Sequence, residues 1–188
     1  MSIVRNARLD DARELNSIYS YYIMNTAITF EYELISDEDF KKRMEKTMER
    51  YPYLVLEENG KIIGYAYADT FKGRKAYDWS VESTIYIDRN MKKHGYGKKL
   101  YDELFSRLKD MGIQNVYACI GVPEEDDEYL DHNSVSFHEH IGFAQVGKFN
   151  LCGYKFNRYY SMVWMEKIIN EHTIPAKEID VSKKEIIR

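Results

Sequence analysis

The spacing of apolar and polar residues changes several times along the chain, and each change predicts an element. Residues 2–7 alternate and predict a first strand. Asp10 stands where a helix cap belongs, and Ala12, Leu15, Ile18 and Tyr22 then recur at helical spacing to about Asn25. Ser36 opens a second helix, with Asp37 and Glu38 at the positive end of its dipole. The strand-like runs 53–57 and 62–69 flank Asn59-Gly60, a hairpin signal. A longer strand is predicted over 79–87, and an amphipathic helix over 97–112 with Leu100, Leu104 and Leu108 on one face. Another strand at 114–120, a short helix at 134–140 stopped by Gly142, and strands at 143–150 and 159–166 complete the pattern. From about Asn170 the periodicity fades into polar residues around Pro175. Residues 1–169 are therefore expected to form one domain, and 170–188 a polar tail outside its core. Many strands interrupted by a few helices, without internal repeats, predict a mixed α/β or α+β fold.

Composition narrows the classes of function. At 188 residues, with 44% hydrophobic and 31% charged, the chain is sized for one well-filled core. The net charge of -4, with both signs interspersed, argues against nucleic acid as the main partner. No apolar run is long enough to span a bilayer and no signal-peptide pattern opens the chain, so a cytoplasmic protein with no membrane partner is expected. Cys119 and Cys152 lack metal-ligand spacing, and His132, His138 and His140 lack the i, i+4 spacing that sets two ligands on one helix face; no metal is expected. The 17 tyrosines suit half-buried strands.

The richest chemistry lies between Ile85 and Lys98. The strand ending Ile85-Tyr86-Ile87 runs through Lys92-Lys93-His94-Gly95-Tyr96-Gly97-Lys98 into a helix. Glycines that let a ligand approach the backbone, together with a helix N-terminus, make an anion cradle. On the residues alone a plain strand-to-helix turn with solvated lysines accounts for the pattern equally well. The spacing is that of neither a P-loop nor a dinucleotide-binding fingerprint. Three further residue types stand out, each with a plainer alternative. Glu82 suits a general base or a solvated strand carboxylate; His138 suits proton exchange or a structural histidine; Arg74 suits an anion anchor or a loop charge.

Lys92-x-x-Gly95-x-Gly97 after a strand resembles the pyrophosphate-binding motif of the GNAT acetyltransferases. The run Tyr77-Asp78-Trp79-Ser80-Val81-Glu82-Ser83 is similar to the hallmark of the phosphinothricin N-acetyltransferases within that superfamily. Arg50-Tyr51-Pro52, Gly64-Tyr65-Ala66-Tyr67-Ala68, Phe137-His138-Glu139 with Gly142-Phe143, Gly153-Tyr154-Lys155 and Val163-Trp164 extend the likeness over about residues 2–167, in order.

The resemblance implies a mixed, mainly antiparallel sheet with helices on both faces, and acetyl-CoA held where two parallel strands splay apart. It implies donor contacts from Ile85, Tyr86, Ile87, Lys92, Lys93, His94, Gly95, Tyr96, Gly97 and Lys98, and from Asn133 and Ser134 at the next helix. Glu82 becomes the base that frees the acceptor amine of its proton, and His138 the group beside the CoA sulfur. Phe30, Arg74 and Tyr77 fall on the acceptor side. The implied activity is N-acetylation of a small amino-acid-like amine by a homodimer. A protein amine or a polyamine is the alternative acceptor, and a non-catalytic CoA-binding sensor the alternative class. The chain departs from the family pattern at Lys92, usually Gln or Arg; in the longer, acidic loop 123–132; at Asp131, often the CoA-contacting asparagine; and at Tyr159-Tyr160-Ser161, where the family ending differs.

Overall fold

The computed structural model describes residues 2–91 and 94–185, and Lys92 and Lys93 of the glycine turn lie outside the described residues. Its strands are β1 (Ser2–Asn6), β2 (Tyr53–Glu58), β3 (Lys61–Thr70), β4 (Ser80–Ile87), β5 (Asn115–Val122), β6 (Ala144–Lys155) and β7 (Arg158–Ile168). They form one sheet in the order β1-β2-β3-β4-β5-β7-β6, antiparallel throughout except between β4 and β5. The helices are α1 (Ala12–Asn25), α2 (Asp37–Met48), α3 (Tyr96–Met111) and α4 (Asn133–His140).

Local chemistry explains most boundaries. Asn59 and Gly60 both take positive φ, as the tight hairpin between β2 and β3 requires. The Ser36 hydroxyl accepts the Asp39 N–H at 3.1 Å and caps α2. At α1 the residue at work is Asp11, not the expected Asp10. A short 3₁₀ turn over Leu9–Asp11 precedes the helix, and the Asp11 carboxylate accepts the Arg8 N–H at 2.7 Å while pairing with Arg5 at 2.8 Å.

Strand alternation sends side chains into two cores. Leu54 and Leu56 join Val81, Val116, Met165 and the α3 stripe of Leu100, Leu104 and Leu108. Tyr53, Val55 and Tyr65 pack on the other face beneath Leu15, Tyr19, Ile23, Phe40 and Met44 of α1 and α2. Several tyrosines are thus structural, with the Tyr53 and Tyr67 rings stacked at 4.6 Å. Truncating one of the buried α3 leucines to alanine costs about 2–5 kcal/mol by the usual cavity penalty.

The sheet is split where β4 meets β5. They pair over three positions only, Ser80↔Asn115, Val81↔Val116 and Glu82↔Tyr117. Beyond that rung β4 stays with β3 to Ile87, and β5 stays with β7 to Val122. The strands diverge into a V, leaving the far half of β4 with no neighbour on that side.

The segment after Asn170, expected outside the core, folds back along α3 and β1. Trp79 Nε1 donates to Lys177 O at 2.6 Å, Asp180 N to Met111 O at 2.9 Å, and Arg107, 2% exposed, to Lys184 O at 3.3 Å. Ile179 packs against the larger core. The segment carries little periodicity because these anchors are mostly backbone groups, which leave no pattern in side chains.

Candidate active site

A cleft of about 350 Å³ opens inside the V. Ser83, Thr84, Ile85 and Tyr86 line one side, and Ala118, Cys119, Ile120 and Gly121 the other. Glu82 sits at the crotch, on the last paired rung. Burial pushes its carboxyl above the ordinary value; the Lys72 ammonium pulls it down and the Asp69 carboxylate, opposite on β3, pushes it up. Burial outweighs Lys72, so the carboxylate is held as a stronger base than in water.

On the α3 side of the crotch stands a polar chain that the sequence did not announce. Tyr101 is 1% exposed, yet its hydroxyl reaches the cleft. It lies 3.2 Å from His138 Nε2 and 3.4 Å from Ser83 Oγ, and Ser83 donates to Tyr117 O at 3.2 Å, bridging the two diverging strands. His138 Nδ1 is 2.7 Å from Ser134 O. That carbonyl only accepts, so Nδ1 carries the proton and Nε2 accepts from Tyr101. Burial pushes the His138 pKa down, the Ser134 bond opposing, and keeps the ring neutral at physiological pH. Burial likewise raises the Tyr101 pKa and keeps its hydroxyl a donor. A tyrosine within the apolar stripe of α3 was the available signal, since a buried hydroxyl needs a partner.

The glycine turn, expected to hold the donor, follows in sequence. Gly95 is the N-cap of α3 at φ 76°, and among the described residues no side chain caps the helix. Its first N–H groups are therefore open to an anion. A Cβ on Gly95 would meet nothing within 4 Å, whereas one on Gly97 would press on the Phe137 ring at 3.0 Å. Gly95 thus serves the turn, and Gly97 the packing of α3 on α4. Tyr96 donates to Glu58 at 2.6 Å, its ring stacks with His94 at 5.5 Å, and Lys98 pairs with Asp102 at 2.6 Å. Ile85 and Tyr86 line the cleft, the Tyr86 ring turned to the α1 side against Tyr19 and Tyr22; the Ile87 carbonyl is held by the Tyr22 hydroxyl. Ser134 lines the cleft, while Asn133, the first residue of α4, bonds back to Asp131. An unpaired strand edge beside uncapped N–H groups fits a long ligand with amide groups and a pyrophosphate.

Of the residues expected on the acceptor side, Phe30 lines the cleft. Arg74 and Tyr77 do not; both are exposed on the segment between β3 and β4. Tyr77 connects only indirectly, edge-on to Phe71, which stacks on Tyr117 at 4.2 Å. The cation brought toward Glu82 is Lys72, whose Nζ lies 5.1 Å from the Phe71 ring centre and 5.6 Å from that of Trp164. Its place two residues before Arg74 was the only hint in the sequence. Cys119 and Cys152, both free, also line the cleft. Among the described residues, no cluster of three or more His, Cys, Asp or Glu side chains is placed to hold a metal, and no helix is long and apolar enough to cross a membrane.

A seven-stranded sheet opened at its one parallel pair, with a glycine turn at its mouth, is the architecture of one superfamily. Residues 4–164 match the acetyltransferase (GNAT) domain, and the chain belongs to that family. It is accordingly an acyltransferase. Among its relatives, phosphinothricin N-acetyltransferase of Streptomyces viridochromogenes is 31% identical over 164 residues, covering 87% of this chain and 86% of that one. The L-amino acid N-acyltransferase MnaT of Escherichia coli is 27% identical, covering 92% and 96%. Among solved structures, a phosphinothricin acetyltransferase from Sinorhizobium meliloti in complex with AcCoA superposes with a TM-score of 0.83 at 30% identity, covering 92% and 91%.

Proposed function

We propose that the protein moves the acetyl group of acetyl-CoA to the primary amine of a small, anionic amino-acid analogue of the phosphinothricin or methionine sulfoximine kind. One observation carries this reading: a partly buried carboxylate, Glu82, stands at the crotch of the V, near enough to the exposed Lys72 ammonium for that charge to oppose the effect of burial. The cation favours an acceptor with a carboxylate or phosphinate and disfavours a polyamine. The names of the relatives point the same way, since they include a phosphinothricin and a methionine sulfoximine acetyltransferase.

Each group then has a task. An α-amino group has a pKa of roughly 8 and enters mostly protonated near neutrality. Glu82 accepts that proton, directly or through a water, and leaves the nitrogen lone pair free to attack the thioester carbonyl. The edge of β4 over Ile85–Ile87 and the turn His94–Lys98, extended by Lys92 and Lys93, bind the donor, with Asn133 and Ser134 flanking it from α4. The Tyr101 hydroxyl, held beside His138 at rest, turns its one proton from His138 Nε2 to the sulfur as the sulfur gains negative charge. Phe30 walls the acceptor, Lys72 attracts its anionic end, and Arg74 and Tyr77 bound the entrance. The amide forms as the carbon–sulfur bond breaks; the second proton lost by the attacking nitrogen passes to the departing thiolate, and CoA leaves with a free thiol.

The enzyme is proposed to work as a homodimer in the cytoplasm, where its donor is made. The edge strand β6 presents Val146, Phe149, Leu151 and Tyr154, all about half exposed, a face suited to a second copy. Light scattering on the eluted protein tests the stoichiometry. A screen of amines with acetyl-CoA, read by thiol release, tests the activity. The expected result is release with methionine sulfoximine or phosphinothricin and little with spermidine; release with none of these acceptors contradicts the reading.

A further inference from the structure

Lys155 is the most deeply buried cation outside the proposed chemistry that has all its bonds to backbone. It is 3% exposed at the end of β6, and its ammonium donates to three carbonyls: Ile23 at 2.8 Å, Thr26 at 2.9 Å and Thr29 at 2.8 Å. Ile23 lies in the last turn of α1, whose carbonyls lack helical partners. Three converging acceptors match the three N–H donors of an ammonium, and no other side chain offers that arrangement at one atom. The chain between those carbonyls is the segment that delivers Ile28, Thr29 and Phe30 to the wall of the cleft.

Two further contacts hold the same segment. The Phe30 ring lies directly on Gly153, two residues before Lys155, where any Cβ would overlap it. The Ala27 N–H donates to Tyr129 O at 3.0 Å, and Ala27 packs with Leu130 and Tyr160 in a small core of its own. Tyr129 and Leu130 belong to the acidic loop 123–132, which folds about Asp127: the carboxylate accepts both their N–H groups, at 2.7 and 2.9 Å, and the Tyr160 hydroxyl at 3.0 Å. The acidic loop and the β6–β7 hairpin therefore converge on one short stretch of chain.

We propose that Lys155 is a positioning residue for the acceptor: its ammonium, with Gly153 behind Phe30, clamps residues 26–30 in the one conformation that forms the acceptor wall. The inference rests on reading the cleft beside Glu82 as the acceptor site. A clamp of this kind acts chiefly on the acceptor, because β4 and the start of α3 make none of the Lys155, Gly153 and Tyr129 contacts and meet the segment where Tyr19 and Tyr86 touch Thr29. Displacing a substrate-positioning wall by about 1 Å costs on the order of 10²-fold in rate.

The test uses the full-length enzyme with acetyl-CoA and methionine sulfoximine. Lys155→Met keeps the length of the side chain and removes all three donors. It is expected to raise the acceptor KM by about tenfold or more while the acetyl-CoA KM stays within about twofold, a split that a general loss of stability does not produce. Amide hydrogen exchange should quicken at residues 27–31 and stay slow in β4 and α3. Gly153→Ala, which leaves Lys155 in place and displaces Phe30, should shift the acceptor KM in the same direction and serves if Lys155→Met does not fold. Equal changes in both KM values, or unchanged protection at residues 27–31, overturn the proposal. If the wild-type enzyme does not acetylate methionine sulfoximine, the choice of acceptor fails and exchange alone decides: selective loss at residues 27–31 upholds the clamp, and its absence overturns it.

Discussion

The two ends of the cleft are built in opposite ways. The donor end is nearly continuous in sequence: a strand edge, a glycine turn and a helix N-terminus within residues 82–98. Its proposed binding groups are backbone N–H and C=O, placed by regular elements. The proposed acceptor end is assembled from pieces: Phe30 after α1, Cys119 on β5 and Cys152 on β6 line it, and Lys72 after β3 acts on Glu82. Its proposed binding groups are side chains from separate loops and strands, held by contacts spanning more than a hundred residues, such as Lys155 to Thr29. A donor shared by a whole superfamily suits the first design, and acceptors that differ between its members suit the second.

Breaking the donor end should give the largest binding effect. Gly95→Val forces a β-branched residue to φ 76°, a conformation such residues rarely adopt, and so tilts the first N–H groups of α3. Acetyl-CoA affinity should fall by about 10²-fold in calorimetric titration, with the acceptor KM far less changed. Gly97→Val is the less clean probe: it presses on Phe137, beside His138, and should lower stability and both substrate affinities together.

Lys72→Met sharpens the comparison from the other end. Removing the cation beside Glu82 should raise the acceptor KM by about tenfold and leave the acetyl-CoA KM unchanged, as steady-state kinetics would show. Arg74→Ala, made outside the cleft, should do less. A larger effect at Arg74 would mean that the segment between β3 and β4 closes over bound acceptor.

Tyr101→Phe tests the bridge between the two ends. It deletes one hydrogen bond and leaves His138 Nε2 without its donor. The expected loss in kcat is about tenfold, with both KM values nearly constant, as for an interaction made chiefly in the transition state.

The difference in construction also explains what could be read in the sequence. The donor end was legible because strand, turn and helix each leave a local signature: alternation to Ile87, Gly95, then leucines at helical spacing. Glu82 stood out once the motif around it was recognised, and the fold adds its burial and its place on the last paired rung. Lys72 was overlooked because its neighbour Arg74 carries the same charge and only folding separates them. Tyr101 was hidden within an apolar helix face. Lys155 reads as an ordinary strand lysine, since its three partners are carbonyls, which are alike at every position. The packing of residues 170–185 was hidden for the same reason. Asp10 and Asp11 are alike as capping residue types; Asp11 stands at the N-cap of α1 with its carboxylate turned back to the Arg8 N–H and to Arg5, a partner distant from any cap pattern.

The smallest expected effect is on stability, and its sign is informative. Burial raises the Glu82 pKa in the folded state above its unfolded value. The folded state therefore holds that proton more tightly, an advantage present at low pH and lost as pH rises through the raised pKa. Above that value the ionised carboxylate costs stability, and glutamine does not. Glu82→Gln should melt no lower than the wild type at pH 7, and its Tm relative to the wild type should be higher at pH 7 than at pH 4.

The same variant tests most directly whether Glu82 is the base. With saturating acetyl-CoA, kcat/KM for the acceptor is measured from pH 5.5 to 9.5 in wild type and Glu82→Gln. At neutral pH the variant should be slower by about 10²–10⁴-fold, the span of general base catalysis. The gap should narrow as pH rises past roughly 8, where the amine is already neutral. A Glu82→Gln enzyme with near wild-type kcat/KM at pH 7, or with a loss that does not change across the pH range, contradicts the assignment.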